Sequence, residues 1–309
     1  MKYYLLSVLF IAGGLFLAAV ISIVSSKPTK TVSGLEVPQK SFIEQPVLGI
    51  KKINLPPASK DLPLPLLTSK SVLVEDLDTG TYLYQKDAAQ RLPIASTTKI
   101  MTALVASEYF QQNSVLTVIN SFIPGSTVGL QAGEALTFRA LLYGLLLNSG
   151  NDAAFALADN YPGGVLGFVS AMNKKAQQLE LNNTHFDNPV GFDSPNHYSS
   201  AYDLVKMTKV ALKNDNLARI FATKQIEILS IDQKYTHKLV NLNRLLTDIP
   251  GILGVKTGKT DLAKENFVGL VERDGHKVLT VVLGSDDRFG ETTKLINWTF
   301  QNFSWQVIE

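Results

Sequence analysis

The sequence predicts an α+β (α/β) fold: one antiparallel sheet flanked by helices, assembled from strands near both ends of a domain, with an all-helical lobe inserted between them. Three observations predict it. Short β-branched or alternating apolar runs bounded by turn residues occur at 71–84 and again from 224 to 284. Between them, apolar residues recur at helical spacing. Strands at both ends of a helical stretch close most simply into a single sheet with the helices packed beside it.

The elements follow in order. Ser71-Val72-Leu73-Val74 and Thr81-Tyr82-Leu83-Tyr84 flank Asp78-Thr79-Gly80 and read as a β-hairpin. From Thr97 to about Phe110, Ile100, Met101, Leu104 and Val105 fall on one helical face. Thr137 is placed to cap a helix through Leu147, Asp152 opens another, and 166–181 and 201–212 read as two more. Strands return at 224–231, 235–240 and 252–256, followed by a hairpin pairing 267–272 with 277–284 across Asp274-Gly275. Residues 291–300 read as a closing helix.

Before this domain, expected over 68–309, lie two other segments. Tyr3 to Val24 carries no charge and is just long enough to cross a bilayer as a helix, which takes ~20 apolar residues. The reading is an uncleaved signal anchor over 1–26, with a cleaved signal peptide as the alternative, since Val24-Ser25-Ser26 offers a small-residue exit. Residues 27–67 hold seven of the 13 prolines and sustain no helical or strand period. They are expected to be a stiff, extended spacer.

Composition excludes several function classes. A formal net charge of +2 with no basic, aromatic-interleaved run argues against a nucleic-acid partner. The chain has no cysteine, which removes disulfides, thiol nucleophiles and cysteine-held metals. His185, His197, His237 and His276 are scattered without metal-ligand spacing and are expected to be ordinary surface or capping residues.

The chemistry lies in three short segments. In Ser96-Thr97-Thr98-Lys99, the lysine falls about one helical turn from the serine. A serine hydroxyl gains a base there if the lysine is neutral, which burial and nearby positive charge promote, and Lys256 is a candidate for that charge. Ser149-Gly150-Asn151 lies in a turn between two helices, with Ser149 placed to relay a proton and Asn151 to meet a substrate amide. Its capping role for the following helix is an equal expectation. Lys256-Thr257-Gly258 ends an apolar strand. Lys256 and Thr257 are suited to a terminal carboxylate, Gly258 to close approach of a substrate backbone, and the Lys259 N–H to an oxyanion hole shared with that of Ser96. Ser194-Pro195-Asn196 repeats the second pattern without flanking helices and ranks below it. The Gly254–Thr260 stretch misses a phosphate-binding loop because Leu253 stands where that motif needs glycine.

Such an ordered set is the signature of penicillin-binding proteins and serine β-lactamases. From about Ser71 to Phe300 the chain resembles the D-alanyl-D-alanine carboxypeptidases, low-molecular-mass penicillin-binding proteins that trim peptidoglycan. The resemblance extends to 76–80, to Leu92-Pro93-Ile94-Ala95 ahead of Ser96, to Ser149-Gly150-Asn151-Asp152-Ala153-Ala154, to 182–186 and 197–204, and to 241–246 before the last motif. It implies a β-lactamase/transpeptidase-like fold with a five-stranded antiparallel sheet, an acyl-enzyme at Ser96, Lys99 as base, Ser149 as relay, and substrate contacts from Asn151, Lys256, Thr257, Gly258 and Lys259. It further implies a peptidoglycan stem pentapeptide as substrate, β-lactams as inhibitors, and no metal or organic cofactor. The expected setting is the bacterial cell envelope, with the amino-terminal segment in the cytoplasmic membrane and the catalytic domain outside.

Three departures stand out. Many members carry a further β-rich domain and a terminal amphipathic anchor, whereas this sequence ends at Glu309, so anchoring is expected from the amino-terminal segment. Lys259 stands where an aromatic or histidine is common, and Ala263-Lys264-Glu265-Asn266 replaces an Ala-Gly entry to the next strand. The alternatives are a class A-like β-lactamase, an endopeptidase or transpeptidase using the same residues, and a non-catalytic wall-binding relative. For the first, the nearest approach to an E-x-x-L-N motif, 178–182, has Gln178 at the glutamate position.

Overall fold

The structure, a computed structural model, describes residues 53–308. In chain order it contains strands β1 (Ser71–Asp76) and β2 (Thr81–Lys86), then a single 3-10 turn, Ala95–Thr98, running into helix α1 (Lys99–Tyr109). Strands β3 (Val115–Thr117) and β4 (Ala135–Thr137) precede helices α2 (Phe138–Leu146), α3 (Asn151–Asp159), α4 (Gly164–Gln178), α5 (Ala201–Leu212) and α6 (Asp215–Phe221). Strands β5 (Gln225–Leu229) and β6 (Thr236–Val240), the short helix α7 (Leu245–Asp248), strands β7 (Ile252–Thr260), β8 (Lys264–Arg273) and β9 (His276–Ser285), and helix α8 (Arg288–Asn302) complete the domain.

The main sheet has five strands in the order β2-β1-β9-β8-β7, every neighbour antiparallel. Strands from both ends of the domain therefore meet at its centre, with the helices α1–α6 inserted between them, as the sequence predicts. Asp274 and Gly275 both take positive φ (52° and 80°), which is the geometry that lets a two-residue turn follow the twist of β8 and β9. The Thr137 hydroxyl caps α2 by accepting from the Ala140 N–H at 3.1 Å, and Ser200 caps α5 in the same way from Asp203 at 3.2 Å.

Alternation along the strands sends side chains to two cores. Val72, Val74, Val278, Val282 and Phe267 pack with Leu295 and Ile296 of α8, whereas Leu73, Leu279, Val281 and Leu283 join α1, α5 and the helical lobe. Each such fully buried aliphatic side chain contributes about 1.5–3 kcal/mol of transfer free energy.

Two expectations need correction. Strands β5 and β6 pair only with each other and lie outside the main sheet. The packed domain also begins before Thr68. Ala58–Ser59 pairs with Phe303–Ser304 and Ile53–Asn54 with Val307–Ile308. Between these pairings and β1 the chain is tied to α8 by Leu62 N–H to Asn302 Oδ1 (2.7 Å) and Trp298 Nε1–H to the Leu62 carbonyl (3.2 Å). Backbone pairing of this kind needs no hydrophobic period, so nothing in the side-chain pattern announces it. The apolar segment 3–24 and residues 27–52 of the expected spacer lie outside the described residues. Among the described residues no helix is long and apolar enough to cross a membrane.

Candidate active site

Ser96 sits in the 3-10 turn ahead of α1, one turn earlier than a regular helix start, on a backbone that is left-handed at Ala95 (φ 47°). A non-glycine residue held there costs on the order of 1–3 kcal/mol and persists only where its surroundings enforce it. Here Gly191 lies so close that a Cβ on it would come within 1.9 Å of the Ala95 carbonyl. On the other side, a Cβ on Gly258 would come within 2.9 Å of the Ser96 nitrogen. The glycine of the third motif therefore lets β7 lie against the nucleophile turn.

Lys99 is fully buried, and its Nζ has three oxygen neighbours: Ser96 Oγ at 3.0 Å, Asn151 Oδ1 at 2.7 Å and the Val190 carbonyl at 3.0 Å. Burial, with the Lys256 charge adding to it and Asp152 opposing, holds its pKa well below the usual lysine range. Asn151 is not free to meet a substrate amide in this state. Its Oδ1 takes Lys99, and its Nδ2 donates to the Pro124 carbonyl at 2.6 Å, which also fixes which end of the carboxamide faces the lysine. Asp152, next along α3, accepts from the backbone N–H groups of Val128, Gly129, Leu130 and Ala153, seating the 126–130 loop over the second motif.

Ser149 is left-handed at φ 57° and almost fully buried. Its Oγ accepts from Lys256 Nζ at 3.0 Å rather than contacting Lys99. Ser149, expected to relay a proton between Lys99 and the leaving amine, is thus linked to Lys256 in this structure. Lys256 also donates to the Thr257 carbonyl at 3.0 Å, and burial together with the nearby Arg288 charge lowers its pKa to about 7. Thr257 and Gly258 are buried beside it in β7, an edge strand of the sheet.

The expectation for Lys259 concerns its backbone N–H; its side chain is exposed and pairs with Glu265 on β8 at 3.0 Å. Lys264, standing where the resemblance anticipates a glycine, takes φ 54°, the backbone conformation that glycine adopts without cost.

Two residues of this region carried no sequence signal. Arg288 Nη1 donates to the Gly258 carbonyl at 2.9 Å, adding a cation beside Lys256. His197, expected to be an ordinary surface or capping residue, is 2% exposed. Its Nδ1 accepts from the Asp187 N–H at 3.1 Å, so the ring proton sits on Nε2 and goes to Thr98 Oγ1 at 2.7 Å, which in turn donates to the Ala95 carbonyl at 2.8 Å. Burial, only partly opposed by Asp187, lowers its pKa to about 4. Ser194 of the second serine-x-asparagine pattern bonds Asp187 in the same loop and is half-buried, with no contact to Lys99 or Ser96. Among the described residues no group of three His, Asp or Glu side chains could hold a metal.

The arrangement sets a half-buried serine against a desolvated amine, with a second amine and a guanidinium on the far side. A family model described as D-alanyl-D-alanine carboxypeptidase matches residues 58–287, which include all three segments. The chain belongs to that family. A D-alanyl-D-alanine carboxypeptidase of Bacillus subtilis is 35% identical over 246 residues, covering 76% of this chain and 63% of that relative. One from a Streptomyces species is 36% identical over 243 residues, covering 72% and 84%. Among solved structures, a Streptomyces DD-transpeptidase superposes with a TM-score of 0.73 at 33% identity, covering 78% of this chain and all of the other. A D-alanyl-D-alanine carboxypeptidase from Mycobacterium tuberculosis gives 0.73 at 34% identity, covering 80% and 96%. The five-stranded antiparallel sheet with an inserted helical lobe is thus the fold of this family.

Proposed function

We propose that this carboxypeptidase-family chain removes the terminal D-alanine from peptidoglycan stem peptides through an acyl-enzyme at Ser96, and that β-lactams acylate the same serine. The observation that carries this reading is the setting of Lys99. A neutral amine has two N–H donors and one lone pair, and two of its three neighbours, Asn151 Oδ1 and the Val190 carbonyl, can only accept. The lone pair is left for the Ser96 hydroxyl, 3.0 Å away. Lys99 then takes the hydroxyl proton as Oγ attacks the carbonyl carbon of the penultimate D-alanine.

The outer edge of β7 offers backbone groups to an extended peptide. Lys256 and Arg288 supply the positive potential for its terminal carboxylate and the Thr257 hydroxyl is a donor suited to it, while the Ser96 and Lys259 N–H groups are suited to the developing oxyanion. When the C–N bond breaks, the departing amine takes up the proton that Lys99 received from Ser96, so Lys99 is neutral again; it then takes a proton from the attacking water and returns it to Ser96 Oγ as the shortened peptide is released. Transfer to an amine instead of water is the second reading, favoured by the similarity to a protein named DD-transpeptidase. A class A-like β-lactamase is less well supported, since Gln178 lies exposed at the end of α4.

Ser96→Ala tests the acyl-enzyme. Incubation with benzylpenicillin followed by intact mass is expected to give a stoichiometric adduct on the natural chain and none on the variant. Release of free D-alanine from a D-Ala-D-Ala peptide separates hydrolysis from transfer to added glycine. An adduct on both proteins, or on neither, sinks the proposal. The proposed setting is the outer side of the cytoplasmic membrane, supported by the uncharged stretch 3–24, and protease accessibility in spheroplasts checks it.

A further inference from the structure

The loop from Asp187 to His197 lies outside the three motif segments, yet it provides one of the three contacts to Lys99. Asn188 organises it. Its Oδ1 accepts from three successive backbone N–H groups, those of Val190 (3.2 Å), Gly191 (2.8 Å) and Phe192 (3.0 Å), and its Nδ2 donates to the Phe192 carbonyl at 3.3 Å. Gathering three amides on one oxygen fixes the peptide planes between them, including the one that turns the Val190 carbonyl toward Lys99. The loop is held to the nucleophile helix at two further points, His197 Nε2–H to Thr98 and Thr102 Oγ1–H to the Pro189 carbonyl at 2.6 Å. It reaches the end of β7 through Asp193, which accepts from Thr260 Oγ1 at 2.6 Å.

We propose that Asn188 is a positioning residue for the base: by holding the Val190 carbonyl on Lys99 Nζ, it commits the second N–H of the neutral amine and so aims the lone pair at Ser96. This rests on the reading of Lys99 as the base. With only Asn151 accepting, the amine turns freely about its last bond, and an N–H points at the Ser96 oxygen as readily as the lone pair does. Loss of such alignment at a reacting pair costs up to about a hundredfold in rate. The charged and titratable groups facing Lys99 are Lys256 of β7, Asp152 of α3 and His197 of the loop itself.

The test is the rate of acylation by benzylpenicillin on the full chain, measured against drug concentration and pH for the natural protein, Asn188→Ala and Asn188→Asp. Asn188→Ala is expected to lower the limiting acylation rate by about 10- to 100-fold while the half-saturating concentration moves less than about twofold. Asn188→Asp keeps an oxygen for the three amides, so it is expected to recover most of the rate at alkaline pH. Its added negative charge favours protonated Lys99, so the acidic limb moves to higher pH. The final adduct amplitude counts folded molecules, so misfolding lowers amplitude and leaves the rate per site unchanged. The proposal is overturned by an Asn188→Ala rate per site within about threefold of the natural one, or by Asn188→Asp being as slow as Asn188→Ala at every pH. A natural chain that forms no adduct, or a Lys99→Met variant that acylates normally, overturns instead the reading of Lys99 on which the proposal depends.

Discussion

The two faces of the sheet are covered by different kinds of contact. Toward α8, Val72, Val74, Val278 and Val282 meet Leu295, Ile296 and Phe303, an apolar layer in which each residue gains by leaving water. Toward the helical lobe the sheet also packs on apolar residues, but where β7 meets the Ala95–Thr98 turn it encloses Lys99 and Lys256. Among the described residues neither amine has a carboxylate in hydrogen-bond contact. Burying an amine without a counter-ion costs stability and lowers its pKa, and that lowering is what makes a lysine usable as a base near neutral pH. One face thus supplies stability that the other consumes.

The sharpest break in this comparison is Lys99→Met. Methionine matches the unbranched stem, so the cavity stays filled, while the base is gone. Acylation is expected to fall by about 10²- to 10⁴-fold, the usual worth of a general base. The melting temperature at pH 7 is expected to rise. The sign follows from linkage: the folded-state pKa of Lys99 lies below its unfolded value, so the unfolded chain binds more protons and the natural protein is penalised below about pH 10. The gap between variant and natural protein should narrow as pH climbs toward that value, as differential scanning calorimetry would record. A variant that melts lower at every pH would contradict the cost assigned to the site.

On the opposite face, Leu295→Ala should cost about 2–5 kcal/mol in urea unfolding, as expected for a fully buried leucine. Its acylation rate per folded molecule should equal that of the natural chain. A slower rate per site would mean that the two faces are coupled through the sheet.

His197→Gln gives the most specific effect. The amide keeps a donor for Thr98 but does not titrate. The folded His197 pKa of about 4 lies below the ordinary 6.5, so the natural protein loses stability as pH falls from about 6.5 to 4, by about 3 kcal/mol. The variant's stability should be flatter across that window by a similar amount. Equal acid sensitivity in both proteins would show that the ring is protonated in place.

Much of this was legible beforehand. The hairpins across Asp78-Thr79-Gly80 and Asp274-Gly275, the Thr137 cap and the α5 boundaries are local properties of turn chemistry and periodicity, and the structure has them where the sequence puts them. Helix α6 escaped notice because seven residues hold too little of a helical period, although Asn214 caps it through Asn216 and Leu217. His197 and Asn188 escaped for a different reason. A polar residue in a polar loop has no distinguishing neighbours until the loop folds onto α1.

The sequence by itself determined the strands of the main sheet, most helices and the order in which a serine, two lysines and an asparagine come along the chain, because alternation, capping and turn chemistry act over a few residues. Only the tertiary structure decided what each of them faces. Asn151 turns to Lys99, Ser149 to Lys256, Gly258 to Ser96 and the Val190 carbonyl to Lys99 across separations of 52, 107, 162 and 91 residues. Such contacts are set by the packing of whole elements and the satisfaction of every buried polar group, which no short stretch of sequence encodes.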